Sequence, residues 1–543
     1  MRRILSVIIA VCMIVSAFLL ASCGDKKKDD KKDDPTHTGL DISEYSIIRS
    51  DKSGAAFAKY VSNFHSMIEE YTGKSLTVKF DGDYDPEPKE ILLGNTNRTE
   101  STEAFAQLNE DNRFVIKMVN GKIVIAGKTE ETTARAIKVF LDSCVKTSKG
   151  DGYIDIEEGY SNNGVANLDS ILFDNFTEFY HEYTSDIMVP SLSAVGVIQY
   201  TKVTELLDGT LLATYENYSG GCNIYRSTDN GKTWEYCSKV TDTLNSGFEG
   251  ELMPHLYTLP VDMGEYKAGT AILAGTSSTA YDPITETKIT LHASTDKGET
   301  WNTICNVDVG GWSNEGVWEP FLVYEEKRGR LYCFYSDDSD PEYSQSLVYK
   351  YTTDLKNWHG VNDEVGVEVE PKLAVACPNK SWRPGMISIA DMGEGGYIMT
   401  YEMMASGIPD VQAYYKKTMD LDDWGDPADY GKPVAAPGNN SFGSSPWCAW
   451  TPEGGGKCGT LVVIGRHPVP FYSTGKGAKM LLSFDYGETF IAIDNPIPYN
   501  VEKSGYSPCV VFSHDGKTLY YTNNPLFGLG TCQKVVMAKI KIW

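Results

Sequence analysis

The chain has 543 residues, a formal net charge of −25 and 41% hydrophobic residues. This length exceeds that of one ordinary domain, so at least two folded units are expected. The acidic balance disfavours nucleic-acid binding, because phosphate contacts need clustered Lys and Arg side chains.

The N-terminus has the features of an export signal. A charged start, Met1-Arg2-Arg3, precedes an apolar run over residues 4–20, which is somewhat short for a membrane-spanning helix. The string Leu20-Ala21-Ser22-Cys23 then matches a bacterial lipoprotein signal, with Cys23 as the lipidated residue after cleavage. We therefore predict a signal peptide over residues 1–23 and a mature protein that is extracellular and lipid-anchored to the bacterial cell surface.

A charged tether and a small domain follow. Residues 25–34 are nearly all Lys and Asp, so residues 24–40 are predicted to be a disordered, solvated tether. Within residues 41–160, helical periodicity covers 53–71 and 132–144, a strand is expected at 90–94, and a hairpin over 114–127 turns at Asn120-Gly121. This pattern predicts a small noncatalytic α+β domain that supports the next unit, with sugar binding as the alternative role.

Prolines recur at a nearly constant spacing in the rest of the chain. Pro254, Pro320, Pro384, Pro446 and Pro508 are separated by 66, 64, 62 and 62 residues, and each opens an apolar run that a second apolar run follows. A fixed period filled with short strands is typical of a β-propeller. With a further strand pair near 199–215, we predict an all-β six-bladed β-propeller over residues 165–543. The segment 165–195 is expected to close the ring or cover its mouth.

A second repeat supports the same architecture. Residues 227–234, 294–301 and 483–490 share the pattern Ser-X-Asp-X-Gly-X-Thr-aromatic. Ser and Asp side chains can bond backbone amides within such a turn, and Gly permits a positive φ. The pattern resembles the Asp-box of sialidases and related propeller glycosidases, which is a structural turn and not a catalytic one.

Strand direction sorts the remaining residues between two faces. In each blade, the start of the innermost strand and the end of the second strand share one face, and the Asp-box turns lie on the other. The residues beside each proline and at the ends of the second strands should therefore line the functional funnel. These candidates are Trp318, Glu319, Asp337, Arg383, Glu402, His255, Trp447, Arg466 and Tyr506. Acids, bases and aromatic rings around one axis are what a sugar-processing site requires.

Two of these candidates are carboxylates in contrasting settings. Glu319 lies between Trp318 and Pro320, an apolar setting that favours the neutral acid. Arg383 and Glu402 belong to neighbouring strands at the same end, so the Arg charge is expected to hold Glu402 ionised. Two carboxyl groups separated in this way have the pattern of an acid and a nucleophile. We therefore predict Glu319 as the acid/base and Glu402 as the nucleophile.

The strings around these residues resemble one family. Residues 316–322 (Gly-Val-Trp-Glu-Pro-Phe-Leu), 335–341 (Tyr-Ser-Asp-Asp-Ser-Asp-Pro), 383–386 (Arg-Pro-Gly-Met) and 400–402 (Thr-Tyr-Glu) are similar to motifs of glycoside hydrolase family 93. The resemblance implies an exo-acting arabinanase on a six-bladed, sialidase-like propeller. Such enzymes release arabinobiose from the nonreducing end of α-1,5-linked arabinan with retention of configuration. The family's acid/base and nucleophile, both Glu, map by motif onto Glu319 and Glu402.

The same resemblance implies the partners of the chain. They would be plant cell-wall arabinan or pectin-derived arabino-oligosaccharides, held by the aromatic funnel residues together with Asp337 and Arg383. No cofactor is required, and no His-rich or Cys-rich spacing in the sequence indicates a metal. A tethered propeller is expected to be a monomer.

Two other functions compete with this interpretation. A sialidase needs three arginines around a carboxylate, but only Arg383 and Arg466 are expected at the funnel, and Lys202 stands in blade 1 where a sialidase would place an Arg. A noncatalytic glycan-binding lipoprotein would keep the aromatic residues and need not keep both Glu319 and Glu402. Measuring turnover separates the binding protein from the enzymes.

Overall fold

The computed structural model of the protein describes residues 39–190, 198–216, 221–279, 285–311, 315–361, 369–405, 411–438, 440–469, 477–500, 504–527 and 532–543. The predicted signal peptide with Cys23, and nearly all of the predicted tether, lie outside these ranges. None of the helices within them combines the length and apolar character that a membrane crossing requires.

The N-terminal part contains a six-stranded mixed sheet. Its strands are, from one edge to the other, Thr77–Phe80, Ser46–Arg49, Glu90–Leu93, Lys122–Gly127, Arg113–Val119 and Ser161–Val165. The first four are parallel to one another, and the remaining pairings are antiparallel. Three helices, α1 (Ala55–Thr72), α2 (Thr99–Ala106) and α3 (Glu130–Phe140), lie between these strands in the chain, and a π turn over Leu141–Val145 extends α3. The sequence patterns did not predict α2 or the parallel pairing.

The local elements predicted for this part are confirmed. The hairpin turns at Asn120 and Gly121 with φ of 54° and 76°, the two positive values that a type I′ turn requires. α1 and α3 bury apolar stripes against the sheet in one hydrophobic core. A short ladder pairs Leu40–Asp41 with Tyr153–Ile154. The predicted domain boundaries stay a prediction.

Six antiparallel sheets follow in chain order. We name them sheets 1 to 6 and list the strands of each from the first to the outermost: sheet 1 has Gln199–Glu205, Leu211–Glu216, Cys222–Ser227 and Glu235–Val240, and sheet 2 has Phe248–Thr258, Ala271–Thr279, Thr287–Ser294 and Asn302–Gly310. Sheet 3 has Val317–Glu325, Arg330–Asp337, Ser346–Thr352 and Trp358–His359, and sheet 4 has Trp382–Asp391, Tyr397–Ala405, Gln412–Thr418 and Lys432–Pro433. Sheet 5 has Trp447–Thr451, Thr460–Ile464, Met480–Ser483 and Ile491–Ile493, and sheet 6 has Cys509–Phe512, Thr518–Asn523, Val535–Ile542, Glu178–Met188 and Ile171–Leu172.

Short strands complete the described structure. Lys372–Ala376 pairs with the third strand of sheet 3. A small three-stranded sheet combines Ala435–Ala436, Asn440–Gly443 and His467–Pro468, and Leu526–Phe527 pairs with Cys532–Gln533.

Sheet 6 joins the two ends of this region. Its strand Glu178–Met188 precedes all the other sheets in the chain, yet it pairs along its length with the C-terminal strand Val535–Ile542. A strand from the segment 165–195 therefore pairs with the last strand of the chain. Glu178 also accepts hydrogen bonds from Arg135 Nη1 of α3 at 2.6 Å and from Trp543 Nε1 at 2.7 Å, so one buried carboxylate ties the N-terminal part to the last sheet.

The first strands of the six sheets contact one another in a cycle. The first strand of each sheet contacts that of the next, and the first strand of sheet 6 contacts that of sheet 1. Because each sheet buries an apolar face against its neighbours on both sides, the innermost strands are almost wholly buried.

The first strands share a backbone feature that corrects the proline register. One non-glycine residue with φ between 50° and 60° lies near the start of the first strand of every sheet, and these residues are Tyr200, Met253, Glu319, Met386, Ser445 and Ser507. In four sheets a proline follows this residue directly, but in sheet 4 Ile387 follows it, and Pro384 lies three positions earlier. Pro384 is therefore not equivalent to the other four prolines, because the repeat preserves the residue with positive φ and not the residue after it.

The three Asp-box turns form as predicted. In the turn of sheet 2, Asp296 accepts hydrogen bonds from Ser294 Oγ at 2.7 Å and Thr300 N at 2.9 Å, and Gly298 N donates to Ser294 Oγ at 2.8 Å. In sheet 2, Ser294 pairs with Ala271, the residue that starts the second strand. In sheet 3, Glu319 lies beside the end of the second strand, which is the opposite end of a sheet. The turns and Glu319 therefore lie on opposite faces.

We expect Asp296→Ala to lower the free energy of unfolding by about 1–3 kcal/mol, because the turn loses acceptors for one backbone and two side-chain donors. Urea titration of the purified protein measures this change. Thr295→Ala, an exposed position in the same turn, is the matched control and should change stability by less than about 0.5 kcal/mol. Equal effects of the two variants would contradict a structural role for the Asp side chain.

Candidate active site

Two rings of residues surround the shared centre of the six sheets. The upper ring is the set with positive φ: Tyr200, Met253, Glu319, Met386, Ser445 and Ser507. The lower ring lies two positions further along each strand: Lys202, His255, Phe321, Ser388, Trp447 and Cys509. Members of both rings line a cavity of about 20 Å³, so side chains fill most of this centre.

Glu319 is the carboxylate of the upper ring. Its φ of 60° turns the side chain away from the regular strand direction. Three donors bind the carboxylate: Tyr200 Oη at 2.8 Å on Oε1, with Ser336 Oγ at 3.0 Å and Met386 N at 2.9 Å on Oε2. Donors of this kind stabilise a negative charge that a half-buried position would otherwise disfavour.

Glu402 reaches the same place from the second strand of sheet 4. The residue is 7% exposed, and its Oε2 accepts a hydrogen bond from Ser445 N at 2.8 Å. Burial, followed by the nearby charge of Glu319, raises the pKa of Glu402 to about 7 despite the Ser445 hydrogen bond. Glu402 therefore keeps its proton close to neutral pH.

Gly385 shows how close the two carboxylates are. A Cβ at this position would lie 3.6 Å from Glu319 Oε2, 3.8 Å from Glu402 Cγ and 2.8 Å from Gln345 Nε2. Both acidic side chains therefore approach one point, and the absence of a side chain at Gly385 keeps that point open. Gln345 is held beside it by a hydrogen bond from Nε2 to Pro384 O.

Arg383 has a different partner from the one predicted. Its guanidinium pairs with Asp338 at 3.1 Å, and Asp338 also accepts a hydrogen bond from Trp318 Nε1 at 3.2 Å. Arg383 pairs with Asp338, and the effect of burial on Glu402 is larger than the effect of the Arg383 charge. The pKa of Glu402 is therefore raised and not lowered. The predicted ionisation of Glu402 is therefore wrong.

Trp318, Arg383 and Asp338 form a group beside Glu319. Burial raises the pKa of Asp338, and the charge of Glu319 contributes in the same direction. Asp337, the predicted neighbour, accepts a hydrogen bond from Ser339 N at 2.8 Å, and burial raises its pKa as well. Polar side chains of this kind can bind the hydroxyl groups of a sugar.

Tyr506 and Arg466 lie on the other side of the carboxylates. The Arg466 guanidinium stacks over the Tyr506 ring at 5.0 Å, and Tyr506 Oη donates to Met386 Sδ at 3.6 Å. Burial and then the charges of Glu402 and Glu319 raise the pKa of Tyr506, which places the phenol near both carboxylates. These two predicted residues therefore lie close to the carboxylates.

His255 and Trp447 were predicted to line the funnel, but they lie in the lower ring, one layer further from the carboxylates. Both belong to the lower ring, where the His255 ring stacks on Phe321 at 4.5 Å and meets Trp447 edge-on at 5.3 Å. His255 Nδ1 accepts a hydrogen bond from Leu322 N at 2.8 Å, burial lowers its pKa to about 3, and Trp447 Nε1 donates to Val510 O. Their contacts favour a supporting floor under the site over direct sugar contact.

A larger cavity lies beyond this floor. It has a volume of about 490 Å³ and is lined by the far halves of the same first strands, with Glu205 and His514 at its rim. The backbone N–H of His514 donates a hydrogen bond to Glu205 Oε2, and the imidazole Nδ1 of His514 contacts the same oxygen. His514 and Glu205 are therefore partners of each other. Neither Glu319 nor Glu402 lines this cavity, and it is not the site described above.

Sequence reasoning missed several groups of the site. Tyr200, Ser336 and the backbone N–H groups of Met386 and Ser445 all bind the two carboxylates. Tyr200 could have been found by aligning the first strand of sheet 1 with the residues before the prolines. Ser336 and the backbone donors carry no distinctive sequence pattern. Across the described ranges, no group of three or more His, Cys, Asp or Glu side chains is arranged to hold a metal ion.

Comparison with known proteins identifies structural relatives of the chain. No family profile and no curated protein matches it. The solved α-L-arabinanase of Penicillium chrysogenum, in complex with arabinobiose, is 30% identical with a TM-score of 0.56 and covers 66% of this chain and 98% of its own. The GH93 α-L-arabinofuranosidase of Fusarium graminearum with arabinobiose is 28% identical with a TM-score of 0.55 and covers 67% of this chain and 98% of its own. The Fusarium graminearum enzyme is also similar in complex with an iminosugar inhibitor, with 28% identity and a TM-score of 0.56.

The raised pKa of Glu402 makes stability depend on pH. Between the ordinary carboxyl value of 4.5 and about 7, the unfolded chain releases this proton while the folded chain retains it, so stability falls as pH rises. Glu402→Gln removes the ionisable group and therefore the loss of stability at high pH. We expect the variant to gain about 2–3 kcal/mol over the wild type at pH 8 and little at pH 5.

Urea unfolding at the two pH values measures this difference. The matched control is Glu325→Gln, which removes a buried carboxylate that pairs with Arg328 at the far end of the strand containing Glu319. This control should not gain stability at pH 8, because it loses an ion pair. A gain for Glu402→Gln that is equal at both pH values would contradict the raised pKa.

Proposed function

Over the two thirds of its length that these structures cover, the chain belongs to the GH93 family of α-L-arabinanases and α-L-arabinofuranosidases, and on this premise we propose a retaining, exo-acting hydrolase that releases arabinobiose from α-1,5-L-arabinan. The observation that carries the proposal is the pair of carboxylates, Glu319 and Glu402, which both approach the space at Gly385. Retaining glycosidases place two carboxyl groups close enough for one to attack while the other transfers a proton.

The roles of the two carboxylates are exchanged relative to those predicted from sequence. Glu402 is the acid/base, because its pKa of about 7 keeps it protonated until it donates to the leaving oxygen. Glu319 is the nucleophile, because three hydrogen bonds from Tyr200, Ser336 and Met386 orient its carboxylate and stabilise its charge. The contrast between the two environments supports this assignment, since the two side chains are chemically identical.

The reaction proceeds in two displacements. An oxygen of Glu319 forms a bond to the anomeric carbon while the glycosidic C–O bond breaks and Glu402 gives its proton to the departing oxygen. Glu402, now ionised, takes a proton from water, whose oxygen attacks the same carbon and releases Glu319. Two inversions at one carbon give net retention.

The substrate assignment rests on the relatives. The Penicillium and Fusarium enzymes were solved with arabinobiose, and the group of Trp318, Asp338 and Arg383 beside Glu319 offers an aromatic ring and charged hydrogen-bonding groups for a sugar. Arabinobiose as the product, and plant arabinan or pectin-derived arabino-oligosaccharides as the source, follow from this likeness.

The proposal includes the architecture and location of the enzyme. A closed six-bladed β-propeller is supported by the cycle of contacts among first strands and by the pairing of Glu178–Met188 with the C-terminal strand. The lipoprotein signal ending at Cys23 supports a lipid-anchored monomer on the outer surface of a bacterial cell, where polymeric substrate is accessible.

A sialidase is the weaker alternative. Arg226 pairs with Glu235 and Glu299 on an outer strand, and the guanidinium groups of Arg328 and Arg330 both bind acidic side chains of sheet 4, away from Glu319. Within the described ranges this leaves Arg383 and Arg466 near the carboxylates, which are too few for a three-arginine clamp. A noncatalytic glycan-binding protein is the second alternative, and assays of turnover separate it from the enzyme.

Product analysis on linear α-1,5-arabinan tests the function. The wild type should release arabinobiose, and Glu319→Gln and Glu402→Gln should each lower kcat/KM at least about 10³-fold. Glu325→Gln, a change of the same kind in the strand that holds Glu319, should keep most of the wild-type activity. Binding of arabinan without turnover by the wild type would support the glycan-binding alternative.

An activated substrate separates the two roles. A dinitrophenyl arabinobioside needs no proton on its leaving group, so we expect Glu402→Ala to form the glycosyl-enzyme and azide to capture it as a glycosyl azide of retained configuration. Glu319→Ala with azide should give the inverted azide. The opposite pair of outcomes would restore the roles predicted from the sequence.

A further inference from the structure

A cavity of about 260 Å³ lies at one edge of the N-terminal mixed sheet, and none of its lining residues belongs to sheets 1–6. Its walls come mainly from the chain that directly follows three parallel strands, at residues 50–53, 94–95 and 128–130. The cavity therefore lies at the carboxyl ends of these strands. Its volume is near the lower end of the range for small-molecule sites.

Two of the three strands are followed by helices on opposite faces of the sheet. α1 follows Ser46–Arg49 and packs in the same hydrophobic core as Ile47. α2 follows the neighbouring strand Glu90–Leu93 and packs in a second core with Ile48, whose side chain points to the other face. In open sheets of parallel strands, chains that leave adjacent strands in opposite directions open a crevice between them, and ligands bind there. The topology therefore marks this cavity as a ligand site.

Short contacts hold the walls of the cavity in place. Glu130 Oε1 accepts a hydrogen bond from Gly54 N at 2.7 Å, which joins the loop before α1 to the start of α3. Gly127 N donates to Thr133 Oγ1 at 3.0 Å. A Cβ at Gly127 would lie 2.4 Å from Thr133 N, so glycine lets α3 begin this close to its strand. The cavity is therefore preformed, which lowers the cost of binding a ligand.

The walls present hydrogen-bond donors and acceptors together. Lys52 and Lys128 supply ammonium donors, Glu130 supplies carboxylate acceptors, and the exposed amide of Asn95 supplies both kinds of group. Phe105 adds an aromatic wall, and Lys128 Nζ lies 5.0 Å from the centre of its ring. Acidic and basic groups in one small cavity disfavour a strongly charged ligand, whereas hydroxyl groups, which donate and accept, suit the whole lining. A sugar ring offers such hydroxyl groups and an apolar face for the aromatic wall.

The first loop argues against a nucleotide as the ligand. Dinucleotide-binding sheets place the pattern Gly-x-Gly-x-x-Gly after their first strand, so that the backbone can approach the pyrophosphate. Here residues 50–54 read Ser-Asp-Lys-Ser-Gly, with a single glycine. A carbohydrate is therefore the ligand class that the lining and the loop both favour.

We propose that this cavity binds a neutral oligosaccharide, so that the N-terminal part is a carbohydrate-binding unit joined to the hydrolase. The sequence left this role open, and the cavity gives it a site. The inference goes beyond the proposed function, because it assigns a second ligand site to residues far along the chain from Glu319 and Glu402. Only the choice of an arabinan fragment as the first probe rests on that function. A second glycan site raises the effective concentration of a polymer at the first one.

Hydrogen–deuterium exchange of the full-length Glu402→Gln protein, read by mass spectrometry, locates the binding, and this background keeps the probe from being consumed. The probes are α-1,5-arabinotetraose, β-1,4-galactotetraose and cellotetraose, each at about 5 mM, which mostly occupies a site with a Kd of about 1 mM. At least one probe should slow exchange within residues 50–57 and 94–106 by about two- to sixfold. The inference is wrong if none of the three slows exchange there. If the wild type does not hydrolyse arabinan, the proposed function fails, while this experiment still tests the cavity.

Two matched variants assign the slowed exchange to the cavity. Asn95→Trp fills the cavity from an exposed position and should abolish the effect of the probe, because the ligand loses its space. Gln107→Trp places the same ring at an exposed amide that does not line the cavity and should keep the effect. If Asn95→Trp does not fold, Asn95→Ala replaces it and should weaken binding about fivefold through the lost hydrogen bond. Equal slowing in the Asn95 and Gln107 variants would mean that the glycan binds elsewhere and would overturn the inference.

Discussion

A left-handed residue in or just before the first strand of each sheet is the constraint on which the site depends. These six non-glycine residues have φ between 50° and 60°, each at a cost of about 1–3 kcal/mol that only tight packing of the strands around it can offset. Three of their backbone N–H groups donate hydrogen bonds to acidic side chains: Met253 binds Glu216, Met386 binds Glu319 and Ser445 binds Glu402. In each case the carboxylate comes from the preceding sheet, so the same bend in the backbone links neighbouring sheets and positions the acids.

Electrostatics then distinguishes two side chains of the same kind. Glu319 has three donors, among them the Tyr200 hydroxyl, and lies above the Lys202 ammonium. Glu402 is more deeply buried and faces the negative charge of Glu319, which keeps its proton bound to about pH 7. A buried like-charged pair is unstable when both members are ionised, and the surroundings of Glu402 raise the pKa of that member.

The N-terminal part contributes to the structure through sheet 6. Glu178 begins the strand that pairs with the C-terminal strand, and its carboxylate receives Arg135 from α3 and the indole of Trp543. The start of sheet 6, the end of the chain and the N-terminal helices therefore meet at one buried ionic contact. Such a contact resists separation of the two parts, because removing any partner leaves a buried charge unpaired.

Local patterns in the sequence were sufficient for many of the elements. The Asn120-Gly121 hairpin and the Asp-box turns follow from turn chemistry, and the motifs around residues 316–322 and 400–402 predicted Glu319 and Glu402 as the catalytic pair. The proline period failed only in sheet 4, where Ile387 takes the place of a proline and Pro384 lies nearby by coincidence.

The tertiary structure decided everything that depends on contacts between sheets. Arg383 and Glu402 share one end of sheet 4, yet Arg383 pairs with Asp338 of sheet 3, and burial raises the pKa of Glu402. Tyr200 reaches Glu319 from 119 positions away in the chain, and Lys202 comes to the same cavity with it. Turn geometry depends on the few residues that form the turn, so sequence determined it. Burial and Coulomb energy depend on distance in space, so only the folded arrangement could show that the pKa of Glu402 is raised.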